Sequence, residues 1–174
     1  MAAPAHLDRV DLQLLAELQR HGRLSNADLA ERVHLSPSAC LRRVQRLERN
    51  GVIAGYRAEL DPEQVGLGLT AFVRIRLNHH DAAAVADFAR GVNAWDEVVA
   101  CHALTGDMDY LLQVAVADLE HFSRFLLDRV LARPGVGDVN SSFVLRTVKP
   151  MRGLPLPAAP ATRAPPAATP GPAD

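Results

Sequence analysis

The sequence predicts an α+β protein in two parts followed by a tail, and three patterns carry that prediction. Three closely spaced amphipathic helical stretches fill residues 1–52; strand, helix, strand, strand, helix, strand follow one another over 69–149; and from Pro150 the composition turns to Pro and Ala. Residues 53–68 lie between the two parts as a strand and linker, Val52–Leu60 reading as the strand and Asp61-Pro62 with Val65-Gly66-Leu67-Gly68 as the linker. The stretch 150–174 has almost no large apolar residue to offset its ordering entropy and is expected to be disordered.

The helices come with their ends marked. Leu7, Val10, Leu14, Leu15 and Leu18 recur at helical spacing, so a first helix is expected from about Asp8 to His21, with Gly22 as its stop. Ser25 with Asp28 three residues on, and Leu24 with Leu29 placed to clasp across the cap, start a second helix that runs to about Val33. After the short turn His34-Leu35, Ser36 caps a third helix, Pro37 suits its first position with a fixed φ, and Gly51 closes it. Two helices joined by so tight a turn have the spacing of a helix-turn-helix.

The third helix divides by residue type. At about 100° per residue, Cys40, Val44 and Leu47 share one face while Ser38, Arg42, Gln45, Arg46 and Arg49 share the other. Between Ser36 and Arg57 five arginines stand against one acid. A run of charge on one helix is commonly just a solvated face, but here it sits on the second helix of a tight pair with short serines at its N-terminus. In that setting N-terminal residues reach base edges in the major groove and longer cations reach phosphates. Ser36, Ser38, Arg42, Arg43, Arg46 and Arg49 are therefore the candidate contacts to double-stranded DNA. A net charge of −1 does not oppose this, because residues 1–60 carry +2 and the remainder −3, and a local patch is what duplex DNA meets. One such helix binds modestly and with strong salt dependence, so several copies of the chain are expected to act together.

In the second part, Leu69, Ala71, Val73, Ile75 and Leu77 alternate with Thr70, Phe72, Arg74 and Arg76, a strand with one core face. Val85, Phe88, Ala89 and Val92 give a helix stripe; Val98–Leu104 and Tyr110–Val116 read as the arms of a hairpin. Asp118 caps a helix carrying Leu119, Phe122, Leu126 and Val130 that Pro134-Gly135 ends, and Val136–Val148 reads as a long last strand. A βαββαβ order of about 80 residues is the ferredoxin-like arrangement, whose antiparallel sheet has helices on one face only. Phe72 and Phe143 are expected on the bare face, where a second subunit would pack sheet to sheet.

Composition narrows the function classes. Apolar content of 48% in 174 residues is that of an ordinary chain of one or two small domains, and no apolar run approaches membrane-spanning length. The opening MAAPAHLDRVD has no basic start and apolar centre of a secretory leader, so a cytoplasmic location without membrane contact is expected. Cys40 and Cys101 fall in different parts and are expected as small buried residues rather than a disulfide. No Ser-His-Asp, Walker-type or zinc-finger spacing occurs, so no catalytic residue, cofactor or metal is expected.

Taken together, Leu7-Asp8-Arg9-Val10-Asp11, the run LSPSACLRRVQRLERNGVIAGY at 35–56 and CHALTGDMDYLLQV at 101–114 resemble the Lrp/AsnC family of leucine-responsive, or feast/famine, transcription regulators, over roughly Leu7–Lys149 and most closely its leucine-responsive branch. The resemblance implies a homodimer formed through the C-terminal domains, further assembly to a tetramer or octamer, and an amino-acid effector, leucine or another apolar one, at interfaces between those domains. It places the effector at Thr105, Gly106, Asp107, Met108, Asp109 and Tyr110, with Leu104 and Phe143 as further pocket candidates. The chemistry fits: an amino acid needs a carboxylate for its ammonium and N–H donors for its carboxylate, and a Gly-containing turn flanked by acids offers both. Asp109 or Asp107 is the candidate acceptor, and the same residues also serve simply to shape a β-hairpin. Two rivals remain. Sirohaem decarboxylases of haem biosynthesis resemble the same family, and His79, His80, His102 and His121 admit such an enzyme, although no pair has helical metal-ligand spacing. A stand-alone small-molecule sensor is the other, and the arginine pattern disfavours it.

Overall fold

A computed structural model describes residues 6–157. The described residues divide into two compact units, one of the residues up to Ala58 with those from Pro150 onward, the other Glu59–Lys149.

The first unit is three helices, α1 (Arg9–Arg20), α2 (Asn26–Arg32) and α3 (Pro37–Arg49). Each start is capped by its own side chain. Asp8 accepts from the Asp11 N–H while Asp11 accepts from the Asp8 N–H, a reciprocal capping box; Ser25 accepts from Asp28 N–H and Ser36 from Ala39 N–H. Between α2 and α3 the chain reverses at His34, which holds φ 55°, a left-handed conformation uncommon for a residue with a Cβ. Asn26 donates its amide to the Pro37 carbonyl at 2.8 Å, tying the start of α2 to the start of α3. Leu14, Leu29, Ala30, Val33 and Cys40 form the small core.

The second unit is βαββαβ: β1 (Leu69–Leu77), α4 (Ala82–Asn93), β2 (Val98–Ala103), β3 (Tyr110–Val116), α5 (Leu119–Phe125) running on as a π-helical stretch Leu126–Leu131, and β4 (Val136–Phe143). The sheet is antiparallel in the order β2-β3-β1-β4. Ala71, Val73, Ile75 and Leu77 of β1 and Leu112, Val114 and Val116 of β3 face the helices, where Phe88, Val92, Trp95, Phe122, Phe125 and Val130 meet them. At the helix ends Arg133 donates to Asp87 at 2.8 Å and lies over the Trp95 ring, filling the space that a side chain at position 91 would need; Gly91 leaves it open.

Four expectations change. Val52–Leu60 forms no strand: among the described residues this segment has no ladder partner, and extended backbone without one is not a sheet. β4 stops at Phe143, not Val148. Phe143 lies in register with Ala71, so it points to the helix side, edge-on to Phe122 at 4.9 Å, and of the two phenylalanines only Phe72 is outward. Both cysteines are free, but Cys101 is exposed while Cys40 is buried. Of the expected disordered tail, residues 150–157 have no helix or strand, yet Gln19 holds Leu154 by both backbone groups, accepting from its N–H at 2.6 Å and donating to its carbonyl at 3.2 Å. The rest of that tail lies outside the described residues.

Candidate functional site

On α3 the six candidate residues do not act as one set. Arg43 donates to Asp8 at 2.7 Å and to Asp11 at 2.8 Å; Arg46 donates to both oxygens of Asp11, at 2.7 and 2.6 Å. Asp11 is the only buried charged residue among those described, with 1% of its surface exposed. Two carboxylates and two guanidiniums thus cancel within α1 and α3. Those bonds hold the Arg43 guanidinium pKa above its usual value, Asp8 first and Asp11 second, against the opposing effect of burial. At Asp8 burial would raise the pKa, but the Asp11 N–H and Arg43 outweigh it and leave the carboxyl below its usual range.

What is left on the solvent side is narrow. Ser38, Arg42, Gln45 and Arg49 are all exposed, and at 100° per residue they lie within about 60° of one another along some 16 Å of helix. Among the described residues neither Arg42 nor Arg49 makes an ion pair. Ser36 is exposed too, with its hydroxyl 3.3 Å from that of Ser38.

The hairpin between β2 and β3 gathers the other candidates. Leu104 donates to the Asp109 carbonyl, and the Asp109 N–H donates to the Ile75 carbonyl, which fixes the loop's base against β1. The Asp109 carboxylate turns back toward the end of β1. It accepts the Leu77 N–H at 2.7 Å, and His80 Nε2 stands 2.9 Å from each oxygen. The Leu77 N–H above all, then His80 and the field of Arg76, draw its pKa below the ordinary carboxylate value. At the tip, Gly106 holds φ +116° with nothing near where a Cβ would stand, and Thr105 and Asp107 are exposed. Among the described residues the N–H groups of 105–108 have no acceptor.

Three of the expected pocket residues separate from this loop. Met108 is buried beneath it. Tyr110 turns inward against Phe88, ring centroids 4.5 Å apart, and helps line a cleft of about 360 Å³ with Phe88, Val92, Trp95, Val98 and Cys101. Phe143, on β4, has β1 between it and Tyr110 on β3, and its partner Ala71 is four residues, about 13 Å, along β1 from the Ile75 that pairs with Tyr110. Leu104 is exposed beside the turn. Sequence reasoning missed His80 as a partner of Asp109 and Asp11 as a partner of the arginines; an acid at the first helix start with arginines on the third was a visible pattern, whereas the His80 contact arises from the register of β1 on β3.

A helix-turn-helix unit with an exposed cationic stripe, followed by an antiparallel βαββαβ unit, is the build of a two-domain DNA-binding regulator. Residues 7–54 match the winged helix-turn-helix DNA-binding description and residues 70–154 the Lrp/AsnC ligand binding domain. Leucine-responsive regulatory proteins of Haemophilus influenzae and Escherichia coli K12 are each 43% identical over 143 residues, 82% of this chain and 86% and 87% of theirs. A transcriptional regulator from Neisseria meningitidis in complex with L-methionine superposes with a TM-score of 0.83 at 49% identity, covering 86% of this chain and 97% of that one. An AsnC family regulator from Agrobacterium tumefaciens gives 0.81 at 37% identity, with coverage of 86% and 97%. The chain belongs to the Lrp/AsnC family of transcriptional regulators. It is a DNA-binding regulator with a ligand-binding domain, not an enzyme.

Proposed function

We propose that this regulator binds duplex DNA through Ser38, Arg42, Gln45 and Arg49 of α3, with Ser36 at the helix start, and that an amino acid bound at the 104–110 hairpin modulates that binding. The observation that carries the effector reading is at the hairpin: among the described residues the N–H groups of 105–108 have no acceptor, and Asp109, next in the chain, has its carboxylate fixed by the Leu77 N–H. The turn would take the ligand carboxylate, and Asp109 the ammonium, exchanging His80 for it while Leu77 still holds the other side. Asp109 is a better acceptor than Asp107 because β1 already fixes its orientation. The L-methionine complex of the meningococcal regulator supports an apolar amino acid as ligand.

The outward sheet face, with Phe72, Arg74 and Arg76 on β1 and Leu111 and Gln113 on β3, is the surface through which two chains would pair, and dimers would assemble further to a tetramer or octamer. Because the ligand need not touch DNA, it acts by favouring one assembly and so the spacing of the α3 helices along the duplex. A regulator of this kind works where the DNA is, in the cytoplasm. Calorimetry with L-methionine, L-leucine and a panel of other L-amino acids tests the effector site. Asp109→Asn, which keeps an acceptor for Leu77 N–H, should weaken binding of the preferred amino acid at least tenfold; affinity equal to wild type would reject the assignment.

A further inference from the structure

The buried carboxylate of Asp11 does more than cap a helix. It is fully enclosed, it closes the capping box with Asp8, and it accepts from two arginines that the sequence places on the DNA-facing helix. Among the described residues Arg46 has no acidic partner besides Asp11, whereas Arg43 also reaches Asp8. By helical angle Arg46 lies about 40° from Arg42 and 60° from Arg49, near enough to the stripe for a released guanidinium to reach the same phosphate backbone.

We infer that Asp11 is a positioning residue for DNA binding: it withholds Arg46, and with Asp8 Arg43, from phosphate contact, and so sets how many phosphates each recognition helix neutralises. Arg42 and Arg49 then supply the electrostatic contact, while the clamp aims α3 by anchoring it to α1. Fewer free cations mean less sequence-independent affinity, so a larger share of the binding depends on what the exposed Ser38 and Gln45 meet in the groove. The inference rests on the reading that α3 is the helix that enters DNA.

The salt dependence of binding reads this directly, because the slope of log K against log salt is about −0.9 for each phosphate neutralised. The full-length protein is titrated onto a fluorescent 30-base-pair duplex of random sequence over a range of KCl concentrations. Asp11→Asn releases Arg46, and the slope should steepen by about 0.9 per bound protomer. Arg46→Gln, in which Arg43 still satisfies Asp11, should keep the wild-type slope, and Arg42→Gln should flatten it by about 0.9. A folded Asp11→Asn with the wild-type slope overturns the inference, as does an Arg46→Gln that flattens the slope as much as Arg42→Gln does. If Asp11→Asn does not fold, the two glutamine variants decide alone. If both arginine variants keep the wild-type slope, it is the assignment of α3 to DNA that fails.

Discussion

The two units of this chain solve the problem of a small core in different ways. The βαββαβ unit gathers thirteen buried apolar side chains between one sheet face and two helices, including Phe88, Trp95, Phe122 and Phe125, and among the described residues it buries no charged residue. The helical unit has a cluster of five, three of them no larger than valine or cysteine, and completes it with a buried carboxylate held by two arginines. A buried ion pair is a weak source of stability but a strong source of orientation, since its geometry is satisfied in one arrangement only. The larger unit is therefore held by area, and the smaller one is aimed by charge.

That contrast can be broken from either side. The largest effect is expected from Phe125→Ala, which removes the bulkiest of the fully buried side chains from the sheet-helix core and should cost the C-terminal unit about 4 kcal/mol. The single tryptophan, Trp95, sits in that unit, so its fluorescence should report an earlier melt. Asp11→Ala should cost the helical unit about 2 kcal/mol, less than the removal of one partner from a wholly buried pair, because Arg43 and Arg46 keep part of their surface in water. Far-UV circular dichroism should show that loss while the Trp95 transition stays in place. A shift of both transitions by the same amount would mean the units do not melt separately.

Acid should produce a smaller loss, spread over both units. The folded-state pKa of Asp109 is depressed, chiefly by the Leu77 N–H, and that of Asp8 is depressed by the Asp11 N–H and Arg43 against burial. A carboxyl with a depressed folded pKa contributes stability that is complete above its unfolded value and is lost as pH falls through the folded one. Melting temperatures measured downward from pH 5 should fall below the usual carboxylate range. Asp109→Asn should remove the part of that fall seen by Trp95.

Much of this architecture was legible in the residues. Ser25, Ser36 and Asp118 cap where their side chains predict, and strict alternation over Leu69–Leu77 delivered β1 with its inward face assigned. What could not be read were quantities that depend on pairing across distance. Phe143 belongs to the helix side because its register partner is Ala71, and no local pattern states that register. Val52–Leu60 has strand-like composition, yet a strand is defined by a neighbour that its own chain does not bring. The arginines of α3 could be counted from the sequence but not sorted, since the acids that bind two of them lie 32 and 35 residues upstream and reach them only once α1 packs on α3. On the function proposed above, the DNA-facing set is smaller than the charge run suggests, with Arg43 and Arg46 paired to Asp8 and Asp11 as its support.

The double variant Arg42→Glu, Arg49→Glu tests that division most directly, because it reverses the free cations without touching the clamp. Anisotropy with genomic DNA fragments at low salt should show affinity at least a hundredfold weaker, with a wild-type melting curve. A folded double variant that binds as tightly as wild type would contradict the account.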